Sequence, residues 1–332
     1  MQALLSEIVR RCAAGETLAL CVLVRARGST PQRVGAKMLV MADGNTLGTL
    51  GGGCVEAEVR TKALTQIAGN IASQHYDFRL DHDYGWDDGL ICGGNIDVEV
   101  RLLGRADLAA YQSFLTELNA GRSVDYALLL YATGEQTQYT ETLYPTAKLV
   151  IAGGGHVGQS LGMLAEALDF QLTVVDDRAG YITADRFPFA SQRIIGDIEA
   201  ELARMPIDSQ TFVVIVTRGH RNDGRALAAV VNSRAKYIGL IGSRRKIKTI
   251  FESLAAEGVA LENIARVHAP IGLRIAAVTP AEIAVSIAAE LIAVRRGRDG
   301  VAAEPMKVRE EQLRSWLSPP SPKIDSQRQE EK

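Results

Sequence analysis

The strongest constraint on the fold is a rhythm in the second half of the 332-residue sequence. KLVIA (148–152), QLTVVD (171–176), QRIIG (192–196), TFVVIVT (211–217) and AKYIGLIG (235–242) are short, continuously apolar runs. Helical patterns near 157–168, 223–232 and 244–256 are interleaved with them. Strands of that kind, alternating with helices, are buried on both faces, which implies a parallel sheet covered on each side. The predicted fold class is therefore α/β, with a Rossmann-like parallel-sheet domain over 147–298. Its closing helix is announced by TPAE: Thr279 caps, Pro280 takes the first helical position and Glu282 completes a capping box.

Within that domain, LVIAGGGHVGQSLGMLAEAL places Gly153-x-Gly155-x-x-Gly158 directly after a strand and at the opening of a helix. Gly153 suits the tight turn, Gly155 lets backbone approach a pyrophosphate, and Gly158 lets helix and sheet pack closely. Free N–H groups at the helix start make an anion site. The next strand ends at Asp176, where a ribose 2′-hydroxyl would be read, and an acid there would repel a 2′-phosphate. His156, His220 and Ser243 belong to loops on the same carboxyl edge, as do Thr217, Arg218 and Asp223, and His156 and His220 are expected to line the crevice. Each histidine has a plainer role open to it, His156 as a helix-start residue and His220 as a loop hydrogen-bonder. Neither has metal-ligand spacing, so zinc is not expected. No nucleophile elbow and no P-loop lysine motif is present.

The first hundred residues mix helix and strand in a smaller, mixed α+β domain over 1–104. A helix at 2–14 and a strand at 18–26 precede GSTPQRVGA, and Asp43-Gly44 turns a hairpin. GTLGGGCVEAE (48–58) then sets Gly51, Gly52 and Gly53 before Cys54 and a helix over 55–68. Cys92, Gly93 and Gly94 repeat the pairing of a thiol with glycines ahead of the strand NIDVEV. A helix start favours the thiolate, and glycines leave room for a ligand. Cys54 and Cys92 together suit a soft metal or covalently carried sulfur; buried thiols beside packing glycines are the competing reading. Cys12 and Cys21 fall on apolar stripes and read as core. DHDYGWDDG (81–89) lacks the spacing of a calcium loop and reads as a surface loop. A connecting helix and strands are expected over 105–146, and a disordered tail over 299–332.

A formal net charge of −2 excludes bulk attraction to nucleic acid or an anionic membrane, and SRRKIK (243–248) reads as a solvated helix face. The N-terminus does not read as a signal peptide, and no run approaches the roughly 20 apolar residues of a membrane span, so a cytoplasmic protein is expected.

GSTPQRVGAKMLV, GTLGGGCVE and ICGGNIDVEV, followed by GGGHVG, VVDDR, YIGLIGSRRK and PIGL…TPAEIAVSIAAE, resemble the xanthine dehydrogenase accessory (XdhC/CoxI) family over about residues 1–296. The resemblance implies a maturation factor rather than a turnover enzyme. Such a factor binds the molybdenum cofactor (a molybdopterin, mononucleotide or dinucleotide), protects it while a cysteine desulfurase supplies sulfur, and delivers it to an apo molybdenum hydroxylase. It implies cofactor contacts at Cys54 and Cys92 in the first domain and at Gly153, Gly155 and Gly158 in the second. A homodimer is compatible with that role. The rival expectation is an NAD-dependent oxidoreductase with His220 as proton donor and Asp223 beside it, which leaves the cysteine motifs unexplained.

Overall fold

A computed structural model describes residues 1–79, 94–132, 135–297 and 308–317. The chain divides into two compact units, Met1–Thr146 and Ala147–Lys332. No helix among the described residues is long and apolar enough to cross a membrane.

The first unit runs α1 (Gln2–Ala13), β1 (Leu18–Arg27), β2 (Lys37–Met41), β3 (Thr46–Gly48), α2 (Gly53–Gly69), β4 (Ser73–Arg79), β5 (Asn95–Leu103), α3 (Leu108–Asn119), β6 (Val124–Ala132) and β7 (Glu135–Leu143). Five strands form an antiparallel sheet in the order β3-β2-β1-β5-β4. Residues Leu18 to Leu23 of central β1 are all buried because both faces are covered. Leu18, Leu20 and Val22 pack with Ile8 and Cys12 of α1, while Ala19, Cys21 and Leu23 pack with Val55, Val59 and Ala63 of α2. Cys12 and Cys21 are thus core residues, and burial pushes the Cys21 thiol up to about 12. Residues 105–146 are more than a connector. Tyr111 and Leu118 of α3, with Tyr126, Leu128 and Leu143 of the β6–β7 hairpin, complete the core that α1 leaves open.

The second unit runs β8 (Lys148–Ala152), α4 (His156–Ala167), β9 (Gln171–Asp176), β10 (Gln192–Ile195), α5 (Ile198–Arg204), β11 (Thr211–Ile215), α6 (His220–Val230), β12 (Tyr237–Leu240), α7 (Arg244–Ala256), α8 (Leu261–Ala265), α9 (Pro280–Arg295) and α10 (Glu310–Leu317). Its sheet is parallel, in the order β10-β9-β8-β11-β12. The direction of winding reverses between β8 and β11, which opens a crevice at their carboxyl ends. One face packs against α5, α6, α7 and α10, the other against α4 and α9. The expected capping box is present: Thr279 accepts from the Glu282 amide, and Glu282 accepts from the Thr279 amide.

Beyond β12, the Leu240 amide donates to His268 O, and the Ile271 amide donates to Leu240 O. Glu290 of α9 secures this segment, accepting from Tyr237 Oη at 2.6 Å and the Gly272 amide at 2.8 Å, with His268 Nδ1 at 2.9 Å. The buried carboxylate is thereby fully partnered, as burial of charge requires.

The tail expectation needs correcting within 308–317. Val308 and Leu313 are buried, and Trp316 and Leu317 pack beside them on the α7 side of the sheet. Two turns carry too short an apolar stripe to stand out from the Glu and Gln around it. DHDYGWDDG and residues 318–332 lie outside the described residues.

Candidate functional site

In the second unit, the glycines after β8 divide by what surrounds them. Gly153 has φ +114°, and a Cβ there would lie 2.5 Å from Val216 O. A Cβ on Gly154 would lie 2.5 Å from Tyr181 O, and one on Gly158 would run into Gly153 O. Packing within the chain accounts for all three. Gly155 differs: a Cβ there would meet nothing within 4 Å. It is the N-cap of α4, and no side chain caps that helix. The first amides of α4 therefore have no intrahelical acceptor and face an opening at the positive end of the dipole. His156 is the first, exposed residue of α4.

Asp176 corrects the sequence reading. Its carboxylate is 1% exposed and accepts from the Gly154 amide (2.8 Å), the Arg178 amide (2.9 Å), Arg178 Nε (2.8 Å) and Arg178 Nη2 (2.9 Å). Burial opposes its ionisation, but the bonds from Arg178 and Gly154 outweigh that and hold the carboxyl below its usual range. With its lone pairs engaged, Asp176 fastens the glycine loop to β9 and has no oxygen to offer a ribose. The exposed acid is Asp177, 3.4 Å from Arg218. A cavity of about 120 Å³ beside it is lined by Asp177, Asp197, Ile198, Glu199, Asn222 and Arg225. Arg178 stacks over Tyr181 at 3.5 Å, and Arg186 bonds both Tyr181 O and Gly154 O. In VVDDR the arginine two places on was the available signal.

Asp223, expected beside His220, has partners of its own. Asp223 is fully buried; one oxygen accepts from the Thr217 amide and hydroxyl, and the other is ion-paired with Lys246. His220 opens α6, with its side chain outside the described residues. Ser243 caps α7 by accepting from the Lys246 amide. SRRKIK is accordingly not a wholly solvated face: Lys246 bridges to α6 and Ile247 is buried.

In the first unit, three motifs meet at one end of the sheet. A Cβ on Gly51 would run into Gln32, with the Pro31 backbone at 2.9 Å, and one on Gly94 would run into Ser29 O. Gly51 and Gly94 are therefore small so that the Ser29–Gln32 backbone can pass, not to admit a ligand. Gly52 is the N-cap of α2, and a Cβ there would meet Pro31 only at van der Waals distance. Gly53 has open space, and the half-buried Cys54 follows it in the first turn of α2.

Glu56, one turn into α2, folds back over this loop. Its Oε1 accepts from Thr49 Oγ1, the Leu50 amide at 2.9 Å and the Gly51 amide at 3.1 Å. Burial opposes ionisation here too, and these bonds overcome it, so the carboxyl sits below its usual range. The loop's first amides thus hold an internal carboxylate, which leaves the start of α2, with Gly53 and Cys54, as its open part. Cys92 and Gly93 lie outside the described residues. Among the described residues, no group of three or more His, Cys, Asp or Glu side chains is placed to hold a metal ion.

A Rossmann-like unit with an uncapped glycine loop, joined to an α+β unit with a cysteine behind a glycine triplet, defines a two-unit α/β protein. The chain belongs to the XdhC and CoxI family: that family matches residues 11–77, and the XdhC Rossmann domain matches residues 149–291. The uncharacterized protein YqeB of Escherichia coli is 30% identical over 85% of this chain, which spans only 44% of that relative. A probable xanthine dehydrogenase component of Bacillus subtilis is 27% identical over 85% of this chain and 94% of its own length. The molybdenum cofactor insertion chaperone PaoD of E. coli is 25% identical over 85% of this chain and 84% of its own. The crystal structure of a xanthine dehydrogenase from Bacillus halodurans has the same fold, with a TM-score of 0.80 at 23% identity over 91% of this chain and 97% of that one.

Proposed function

We propose that the chain carries the molybdenum cofactor as cargo, holding it while a cysteine desulfurase supplies sulfur and passing it to an apo molybdenum hydroxylase of the xanthine dehydrogenase/aldehyde oxidase type. The observation that carries this reading is Gly155, open on its side-chain side at the uncapped start of α4, in a chain related to PaoD through both units. The cargo's phosphate end suits those amides, whose N–H groups and dipole favour an anion. Asp176 and Arg178 keep the loop in shape from behind. The first unit, taken by itself, has a separate candidate in Cys54, a soft donor beside the clearance at Gly53 and suited to sulfur or metal contact. Holding and handing over ask for no proton transfer by this chain. Nicotinamide oxidoreduction draws less support, because Asp176 and Asp223 are both committed to internal partners.

The test is elemental analysis of protein purified without oxygen from cells making the cofactor. Molybdenum and phosphorus are expected near stoichiometric amounts, falling together in Gly155→Asp. Protein free of both elements that binds NAD and transfers hydride would overturn the proposal.

A further inference from the structure

Resting on the carrier reading, we propose that the receiving apo-protein docks on the carboxyl edge of the second unit at Arg221, Arg244, Arg245 and Arg274, through an acidic face surrounding an apolar contact. All four arginines are exposed, and none has an ion pair or side-chain hydrogen bond among the described residues. Topology brings them together. Helices α6 and α7 follow the neighbouring parallel strands β11 and β12, so both start at one edge. The Lys246–Asp223 ion pair joins their first turns. Arg221 is the second residue of α6, and Arg244 and Arg245 are the first two of α7. Arg274 reaches the same edge because the Ile271 amide donates to Leu240 O at the end of β12.

Three of these cations occupy the first turns of two helices, where the dipole disfavours positive charge. The first turn of α7 contains no acid to offset them. Folding gives no reason to keep them there; an arriving anionic surface does. The partner's chemistry follows from what adjoins the arginines. Ile275 is 45% exposed and Val278 is 81% exposed on the same loop as Arg274. A small polyanion or a nucleic acid would leave these aliphatic side chains unused, and the chain's net charge of −2 gives nucleic acid no bulk attraction. Protein interfaces, by contrast, combine arginine with apolar contacts. Gly155 opens on this same carboxyl edge, so a partner seated here is beside the cargo's anchoring point.

The experiment measures binding of cofactor-free hydroxylase to the molybdenum-loaded full chain across a salt series, alongside molybdenum content. The charge-reversed R244E/R245E chain is expected to bind at least about tenfold more weakly at low salt and to lose most of the salt dependence. Val278→Asp is expected to weaken binding while keeping the salt dependence. Both variants should retain molybdenum and neither should melt below the parent chain, with R244E/R245E melting at or above it because acids suit the start of α7. Unchanged hydroxylase affinity in the charge-reversed chain overturns the proposal. So does displacement of the hydroxylase by a short DNA duplex, or a change confined to self-association. A loaded chain that never binds the hydroxylase sinks the docking surface and leaves the carrier reading standing. A chain that never takes up molybdenum sinks the carrier reading and the docking surface with it.

Discussion

Substitution of Glu56 by Gln asks whether the glycine-triplet loop is organised by an internal carboxylate. The change keeps the side chain's shape and one acceptor oxygen but removes the charge. Three donors converge on Glu56 Oε1, from Thr49, Leu50 and Gly51. A hydrogen bond to a charged group contributes roughly 1.5–3 kcal/mol and a neutral one about 1 kcal/mol. Over three bonds sharing one oxygen, the expected loss is about 2 kcal/mol, or about 6 °C in the melting of the first unit. The pH dependence has a definite sign. The folded carboxyl lies below its usual range, whereas the unfolded one titrates near pH ~4.3. The unfolded chain therefore binds this proton more readily, and the stabilisation is complete above about pH 5 and lost as pH falls through the folded value. The gap between wild type and Glu56→Gln should be constant from neutral pH to about pH 5 and close in stronger acid. Amide exchange across 48–56 reads the same effect locally, with faster exchange expected at Leu50 and Gly51. Equal melting at pH 7, or a gap that persists undiminished in acid, would refute the reasoning.

The glycines after β8 should separate on substitution: Gly158→Ala forces its Cβ into Gly153 O and should cost more than about 3 kcal/mol. Gly155→Ala meets only open space and should cost about 0.5 kcal/mol in urea unfolding while weakening ligand binding. Asp176→Asn breaks a buried pair with Arg178 and should cost about 3 kcal/mol, against little change for Asp177→Asn. Peptide mapping after alkylation of the native protein at pH 8 should find Cys12 and Cys21 unmodified, because burial raises both thiols, and Cys54 labelled. Leu313→Ala, at a position 2% exposed, should cost about 3 kcal/mol in urea unfolding.

Much of the fold was legible because its causes are local. The second sheet's central strands carry unbroken apolar runs, LVIA in β8 and FVVI in β11, and TPAE names its own helix start. The family was legible through several motifs in order, and the matched family domains agree with it. Asp176 misled because an acid at the end of the second strand has the same spacing whether it meets a ribose or the amide of Gly154. Glu56 escaped notice because a glutamate near a helix start reads as ordinary dipole chemistry until its hydrogen bonds to Leu50 and Gly51 are seen. Segment 105–146 looked like a spacer because its contribution, at Tyr126 and Leu143, lies against residues more than a hundred positions earlier.

The sequence by itself determined the parallel sheet, the turn at Gly153 and the burial of Cys12 and Cys21, because periodicity and backbone stereochemistry act over a few residues. Tertiary structure decided which polar groups are occupied and which are open. Asp176, Asp223 and Glu56 are taken by partners that other segments deliver, and Gly51 and Gly94 are filled by the backbone of Ser29–Gln32. Gly155 and Gly53 stay open for the same reason: availability depends on what the rest of the chain brings alongside, which no local pattern encodes.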